Sequence, residues 1–259
     1  MEKELGVLLF DRLGGKQVAL TEAGHKLLRY AEQLLELAEE AQEVVSIAEE
    51  PQGILRIGAA ESLCIYRLPS LLHAFRMRFP RVKVVFCPSP VAELRNLVYN
   101  GTIDVAFVYE ELDHQGGPGD EMLALEPVWL VAAPDHPFVD YKIVVPSDFA
   151  ATDLLLTETG CCYRGHFERI LNRANIYPKT ILEFNSIEAV KECVMAGLGV
   201  TLLTAVTVTN EIEIGKLVKL PWGGPDVSVM THLVWHKDKW LSPSLDAFLT
   251  LSRELLTVR

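Results

Sequence analysis

Apolar residues recur at alternating spacings of four and three between residues 21 and 50, and this pattern predicts one long amphipathic helix. Thr21 stands where a helix N-cap is expected, and Pro51 and Gly53 end the pattern. The repeat runs through three heptads, which favours pairing with a second helix as a coiled coil over packing on the chain's own domain. The seam consists of Leu27, Ala31, Leu34, Ala38, Ala41, Val45 and Ala48.

The residues before this helix predict a short hairpin. Residues 8–12 and 17–20 flank the turn sequence Leu13-Gly14-Gly15-Lys16. Paired glycines reach the positive φ angles that a tight turn needs. Gly6 suits the C-cap of a helical segment that begins at Glu2.

From residue 53 onwards the pattern changes to alternating strands and helices, which predicts an α/β fold with a parallel sheet. Two cycles of this kind are joined by strands near residues 125–131 and 228–236, so we expect two similar α/β lobes with the chain crossing twice. The predicted strands cover residues 53–59, 82–87, 105–109, 154–157, 181–184, 200–203, 217–220 and 227–235, and the predicted helices cover residues 68–79, 90–100, 163–174, 187–196 and 242–256.

Composition narrows the class of protein. The chain has 259 residues, 49% hydrophobic and 23% charged, which suits two or three folded modules and excludes a disordered chain. The longest apolar run, residues 194–206, is too short to span a bilayer, and the N-terminus shows no signal peptide. Five scattered cysteines fit a reducing compartment. We therefore expect a cytoplasmic protein with no membrane partner.

Charge is distributed unevenly along the chain. A net charge of −11 argues against nucleic acid as the main partner of the whole chain. Residues 1–29, however, carry five lysines and arginines against four acids, whereas residues 30–50 carry seven glutamates and no lysine or arginine. The two ends of the N-terminal region therefore have different roles.

Catalytic motifs are missing from the sequence. It contains no P-loop, no G-x-S-x-G, no H-E-x-x-H and no C-x-x-C, so we expect neither an enzyme nor a cofactor. Its histidines are dispersed, and Cys161, Cys162 and His166 are too few and too poorly spaced for a metal site. Adjacent thiols at a predicted helix N-terminus should have lowered pKa values, so redox sensing stays open as an alternative role for these cysteines.

The N-terminal residues resemble the corresponding segment of LysR-type transcriptional regulators. The resemblance is carried by Glu4-Leu5-Gly6, Leu9-Phe10-Asp11-Arg12 and Leu20-Thr21-Glu22-Ala23-Gly24. The resemblance makes residues 1–20 the remnant of a winged helix-turn-helix, namely the end of its recognition helix and its wing, and residues 21–50 the coiled-coil linker helix that forms dimers. Because the family's base-reading residues precede this segment, we expect the chain to be N-terminally truncated and to bind DNA weakly and without sequence preference. Arg12 and Lys16 are the DNA-contacting candidates, with ordinary surface charge as the alternative.

The resemblance extends over the remaining residues. It implies a two-lobed effector domain like a periplasmic binding protein, with lobe I at residues 53–127 and 237–259 and lobe II at residues 128–236. The implied function is a ligand-responsive bacterial DNA-binding regulator that assembles as a homodimer or homotetramer. The alternatives are a periplasmic-type solute-binding protein and a redox-sensing regulator that uses Cys161 and Cys162.

Ligands of open α/β sheets gather beyond the C-terminal ends of strands, near helix N-termini, and the family's effector cleft is lined at such positions. Hydroxyl and helix N–H groups there favour a small carboxylate, for which Arg164 would supply the charge; Glu61 and Glu158 keep a cationic or zwitterionic, amino-acid-like ligand open. Alternatively, Ser62 and Ser186 are plain N-caps and Arg164 faces solvent. The candidate effector contacts are Ala60, Glu61, Ser62, Tyr109, Thr157, Gly160, Cys161, Tyr163, Arg164, Asn185, Ser186, Gly199 and Thr201.

Overall fold

A computed structural model describes residues 1–12, 18–45 and 50–257 of the chain. They form two compact units, Met1–Pro51 and Gln52–Arg259, and each is described by itself. Lys16 and Ala48, predicted to contact DNA and to lie in the coiled-coil seam respectively, fall outside the described residues.

The N-terminal unit contains a short helix, a two-stranded hairpin and a long helix. Helix α1 covers Glu2–Leu5, strands β1 and β2 cover Phe10–Arg12 and Val18–Leu20, and helix α2 covers Glu22–Val45. The strands pair antiparallel, with Phe10 opposite Leu20. Gly6 caps α1 at a φ of 68°, and the Thr21 hydroxyl accepts a hydrogen bond from the Gly24 N–H at 3.0 Å. Both predicted helix caps are therefore confirmed.

Helix α2 is 24 residues long and carries much of the predicted seam. Leu34 and its neighbour Leu35 are 68% and 67% exposed in the single chain, while Leu27 and Ala31 are half-buried. Apolar side chains with so large an exposed fraction on a regular helix carry a free-energy cost in water unless a partner covers them. The long helix is confirmed, and its pairing with a second copy stays a prediction.

Residues 52–257, all of them described, contain two five-stranded sheets. The first sheet has the strand order β4-β3-β5-β12-β6. Its strands are β3 (Gly53–Ala59), β4 (Val82–Pro88), β5 (Val105–Glu111), β6 (Asp120–Glu126) and β12 (Val229–Trp235). Together with helices α3 (Glu61–Tyr66), α4 (Leu68–Arg78), α5 (Val91–Tyr99) and α9 (Pro243–Leu256), it makes up the first lobe.

The second sheet has the strand order β11-β7-β10-β8-β9. Its strands are β7 (Val128–Ala132), β8 (Asp153–Thr157), β9 (Thr180–Phe184), β10 (Val200–Thr204) and β11 (Val218–Lys219). Helices α6 (Cys162–Arg173), α7 (Ile187–Met195) and α8 (Ala205–Glu213) complete the second lobe.

Aromatic side chains fill the cores of both lobes. In the first, Phe75 of α4 and Phe248 of α9 meet edge to face at 5.1 Å over the sheet, and both are fully buried. In the second, Phe149 packs against Phe167 of α6 at 5.3 Å and against Trp222 at 5.9 Å. Buried aromatic pairs add directional contacts to their hydrophobic burial, which fixes the helices on the sheets.

The structure corrects the expectation of parallel sheets, because both sheets are mixed. Strand β12 runs antiparallel to β5 and β6, and β10 runs antiparallel to β7. The proposed lobe II, residues 128–236, also included β12, which belongs to the first sheet. Periodicity predicts that a strand forms but not which distant neighbours it joins, and His232 of β12 pairs with Val108 and Met122.

Helices α3 and α8 were not predicted, and both border the region between the lobes. The chain passes from the first sheet to the second at Pro127, between β6 and β7. No helix among the described residues has both the length and the apolar character needed to cross a membrane.

Candidate ligand cleft between the lobes

A small cavity of about 30 Å³ lies between the two lobes, beyond the C-terminal ends of β3, β5 and β8. This volume holds about one water molecule, whereas sites for drug-sized ligands have roughly 300 Å³ or more. A metabolite therefore requires the lobes to move apart. The lining consists of Ala60, Glu61, Ser62, Val91, Tyr109, Thr157, Glu158, Cys161, Tyr163 and Ile187.

Seven of the thirteen candidate contacts line this cavity, namely Ala60, Glu61, Ser62, Tyr109, Thr157, Cys161 and Tyr163. Val91, Glu158 and Ile187 line it as well and were not among the candidates. Val91 and Ile187 are each the first residue of a helix, so both follow the same rule of helix N-termini that produced the other candidates.

Glu61 closes the cavity by reaching from α3 to the N-terminus of α7. Its carboxylate accepts a hydrogen bond from the Ile187 N–H at 3.0 Å and another from the Ser186 hydroxyl at 3.1 Å. Ser186 occupies the N-cap position of α7, but its side chain does not cap the helix. The helix N-terminus, which attracts anions, is therefore occupied by a carboxylate of the protein itself.

Hydroxyl groups line part of the cavity. The Ser62 hydroxyl lies 3.4 Å from that of Tyr109, and the rings of Tyr109 and Tyr163 meet edge to face at 6.4 Å. Burial raises the pKa of both tyrosines above its usual range, so both stay neutral at physiological pH. The Thr157 hydroxyl is buried without a hydrogen-bond partner among the described residues.

Arg164 lies in the second lobe beside the cavity but does not line it. Its guanidinium donates to the Thr157 carbonyl, to Glu183 at 2.7 Å and to Glu168 at 2.9 Å. The residue is only 8% exposed. The expectation of a solvent-facing side chain is therefore wrong, because Arg164 is buried and its charge is paired with acids of its own lobe. Its contact with an effector stays a prediction.

Gly160, Asn185, Gly199 and Thr201 also lie outside the cavity lining. At Gly199, φ is 154°, and a Cβ atom would lie 2.2 Å from the Asp153 carbonyl oxygen, so glycine is needed there for close backbone approach. Thr201 is fully buried in β10 and pairs with Leu155 and Val131, which face the core beneath α7. Residues on paired strands that lie opposite each other point to the same side of the sheet, so Thr201 faces this core.

A second contact between the lobes connects α3 with α7 and α8. The Tyr66 hydroxyl bonds to Glu188 and accepts from Lys191 Nζ at 2.5 Å, and Lys191 pairs with Glu211 at 2.7 Å. Lys191 is 3% exposed. Burial and the Glu188 hydrogen bond raise the pKa of Tyr66 to about 12.

A third contact joins Arg169 of α6 to Glu111 of β5 at 2.6 Å. The second and third contacts were not predicted from the sequence, because their partners are distant in the chain. The two partners of Tyr66 are 122 and 125 residues away from it, and Arg169 and Glu111 are 58 residues apart. A lysine on the apolar helix α7 was the available indication, since a buried lysine needs an acidic partner.

Of the two adjacent cysteines, Cys161 is buried and Cys162 is partly buried. Cys161 is the N-cap residue of α6 and Cys162 its first residue. Burial raises the pKa of both thiols, as it raises that of Cys64 to about 11. The expected lowering of the pKa is therefore wrong, because desolvation outweighs the helix N-terminus.

A cluster of His114, Asp120 and His232 lies in the first lobe. Asp120 contacts His114 at 2.9 Å and His232 at 2.7 Å, and its carboxylate also pairs with Arg95 at 2.9 Å. The side chains have a metal-like arrangement. The guanidinium of Arg95 already contributes a positive charge to the same carboxylate, which opposes a metal cation there.

Two α/β lobes around a hydroxyl-lined cleft define an effector-binding domain of the periplasmic-binding-protein type. Residues 48–257 match the LysR substrate binding domain, and the chain belongs to the LysR family of transcriptional regulators. The uncharacterized HTH-type transcriptional regulator YwqM of Bacillus subtilis (strain 168) is 42% identical over 255 residues, which cover 98% of this chain and 86% of YwqM. YfiE of Escherichia coli (strain K12), also an uncharacterized HTH-type regulator, is 30% identical over 98% of this chain and 85% of its own length.

Solved structures show the same architecture. The Synechocystis PCC6803 CcmR regulatory domain in complex with 2-PG aligns with a TM-score of 0.70 at 21% identity, over 79% of this chain and 98% of that one. Full-length CbnR complexed with its target DNA aligns with a TM-score of 0.69 at 25% identity, over 98% of this chain and 86% of that one. The fold class and the family predicted from the sequence are confirmed, and the chain is a ligand-responsive transcriptional regulator.

Proposed function

We propose that this chain senses a small molecule in the cleft between its lobes and converts binding into a change in DNA binding, without catalysing a reaction. The observation that carries the proposal is the cavity at the ends of β3, β5 and β8, held shut by Glu61 at the N-terminus of α7. The 2-PG complex of CcmR, a domain of the same fold, supports a small organic effector. A small carboxylate or amino-acid-like metabolite fits a lining that combines hydroxyl groups and carboxylates with apolar side chains.

The proposed response begins with the separation of the lobes. A cavity of about 30 Å³ admits a metabolite only after the contacts of Glu61, Tyr66 and Arg169 across the cleft loosen. A bound effector then replaces some of these contacts with its own and shifts the angle between the lobes. Such a shift requires an effector with different affinities for the two arrangements.

We further propose that the linker helices α2 pair to give homodimers and that sensing lobes associate to give homotetramers. The exposed Leu34 and the half-buried Leu27 and Ala31 support a partner helix. Arg12 and Lys16 are the proposed phosphate or minor-groove contacts, and CbnR is a structural relative seen on DNA. The proposed location is the cytoplasm, where a DNA-bound regulator acts.

The experiment that tests this function screens small acids, amino acids and amines by thermal shift against the full chain, followed by small-angle X-ray scattering. We expect a compound that raises the melting temperature and changes the scattering profile. Thr157→Val should weaken its binding at least tenfold, while Thr250→Val, at an exposed position of α9, should leave it unchanged. Equal binding by both variants, or an unchanged profile at saturation, would contradict the proposal.

A further inference from the structure

The cavity between the lobes is lined by two acids and no base. Glu61 and Glu158 belong to its lining, and the other eight described residues that line it are uncharged at neutral pH. Two carboxylates that border one small space give it a negative potential, which a cation placed between them offsets. The cavity therefore favours a positive group on its ligand.

Bases near the cleft are already paired. All three polar contacts of Arg164 go to the Thr157 carbonyl and to Glu168 and Glu183, within the second lobe. Lys191 is held by Glu211 and by Glu188, in addition to the Tyr66 hydroxyl. A purely anionic ligand would thus find no basic side chain in the lining and would depend on helix N-termini, of which that of α7 is occupied by Glu61.

Separation of Glu61 from α7 exposes two complementary groups at once. The N-terminus of this nine-residue helix regains the Ile187 N–H and the Ser186 hydroxyl as donors, and Glu61 regains a free carboxylate. An inserted molecule satisfies both sides only if it carries an anionic group and a cationic group close together. The direct contact between the lobes is then replaced by a bridge.

Thr157 supplies an independent indication of a polar group on the ligand, because its hydroxyl both donates and accepts hydrogen bonds. The residue lines the cavity and is 3% exposed, and its hydroxyl has no hydrogen-bond partner among the described residues. A primary ammonium carries three N–H donors, and the cavity offers three acceptors for them in Glu61, Glu158 and Thr157. A carboxylate could accept from the Thr157 hydroxyl but offers no donor to Glu61 or Glu158.

We propose that the effector is a zwitterionic amino acid, with its carboxylate at the N-terminus of α7 and its ammonium between Glu61, Glu158 and Thr157. This inference rests on the proposed function of the cleft and narrows its ligand class. Ala60, Val91 and Ile187 provide the apolar part of the lining, which suits a small aliphatic side chain.

Matched sets of compounds test the ligand class on the full chain by isothermal titration calorimetry. Alanine is compared with propanoate and ethylamine, and valine with 3-methylbutanoate and 2-methylpropylamine, so that each set removes one charged group at a time. We expect at least one amino acid to bind. The carboxylate and the amine of the same set should each bind at least tenfold more weakly. The proposal is overturned if neither amino acid binds at millimolar concentration, or if the carboxylate of a set binds as tightly as its amino acid.

Charge-neutral variants identify where the ammonium lies. Glu158→Gln, which leaves the contact between Glu61 and α7 in place, should weaken amino-acid binding at least tenfold without weakening propanoate binding. Glu213→Gln, on the exposed face of α8, is the matched control and should bind as the wild type does. Unchanged amino-acid binding by Glu158→Gln overturns the proposal.

The two proposals fail in different ways. A carboxylate that binds in a Thr157-dependent manner and changes the scattering profile refutes the amino-acid class while supporting the sensing cleft. An amino acid that binds through Glu158 without any change in scattering supports the ligand class and refutes the proposed function.

Discussion

The carboxylate of Glu61 accepts a hydrogen bond from the backbone N–H of Ile187 at 3.0 Å, between residues 126 positions apart in the chain. One residue lies in the first lobe and the other at the start of a helix in the second. A carboxylate at a helix N-terminus gains both a hydrogen bond and a favourable interaction with the helix dipole. This pair therefore links the position of the lobes to the chemistry of the cleft.

Removal of that carboxylate should favour open lobes. Glu61→Ala is expected to lower the free energy of unfolding by about 1 kcal/mol, the usual range for a charge at a helix terminus. It should also enlarge the radius of gyration measured by small-angle scattering. Glu213→Ala is the matched control, and the same radius in both variants would show that Glu61 does not hold the cleft shut.

Arg164 should prove structural. Arg164→Met leaves the buried Thr157 carbonyl without its charged donor, and we expect a loss of about 1.5–3 kcal/mol in the free energy of unfolding. Arg173→Met, at an exposed position of the same helix, should change stability by less than about 0.5 kcal/mol. Urea denaturation measures both. If Arg164→Met kept full stability but lost effector binding, Arg164 would be a ligand-binding residue and not a structural one.

The contact at Tyr66 should weaken in alkali. Its pKa is raised from 10.0 to about 12 by burial and by the hydrogen bond to Glu188, so the folded state holds the hydroxyl proton more tightly than the unfolded state. The resulting stability is complete below pH 10 and is lost as the pH rises towards 12. Tyr66→Phe should therefore show a smaller fall in melting temperature across this range. Parallel curves for variant and wild type would contradict the assignment.

Cys161 and Cys162 should react slowly. Because burial raises the pKa of both thiols, little thiolate exists near neutral pH. Iodoacetamide should label them at least tenfold more slowly in the folded chain than in urea, as followed by mass spectrometry. Rapid formation of a disulfide under mild peroxide, with a change in scattering, would instead support a redox sensor.

Leu34 should govern assembly. Leu34→Lys places a charge in the apolar seam of α2 and is expected to shift the chain towards monomers in light scattering at micromolar concentration. His25→Lys adds the same side chain at an exposed position outside the seam and should leave the molar mass unchanged. Equal masses for the two variants would rule out this seam as the dimer contact.

Much of the molecule followed from local pattern. The heptad spacing from Leu27 onwards predicted α2, and strand-helix alternation predicted most elements of the two lobes within a few residues of their observed ends. The closely spaced N-terminal motifs indicated the protein family. Seven residues that line the cavity were predicted from their positions between the end of a strand and the start of a helix. Ligands bind at these ends of a sheet, where the helix N-termini also lie.

The sequence by itself determined which segments form helices and strands, since spacing and capping act over a few residues. The tertiary structure alone decided which partners those segments meet. It placed β12 in the first sheet, turned Arg164 towards Glu168 and Glu183, and brought Glu61 to the start of α7. These contacts join residues up to 126 positions apart, and their energies depend on burial and charge that exist only once the lobes have packed.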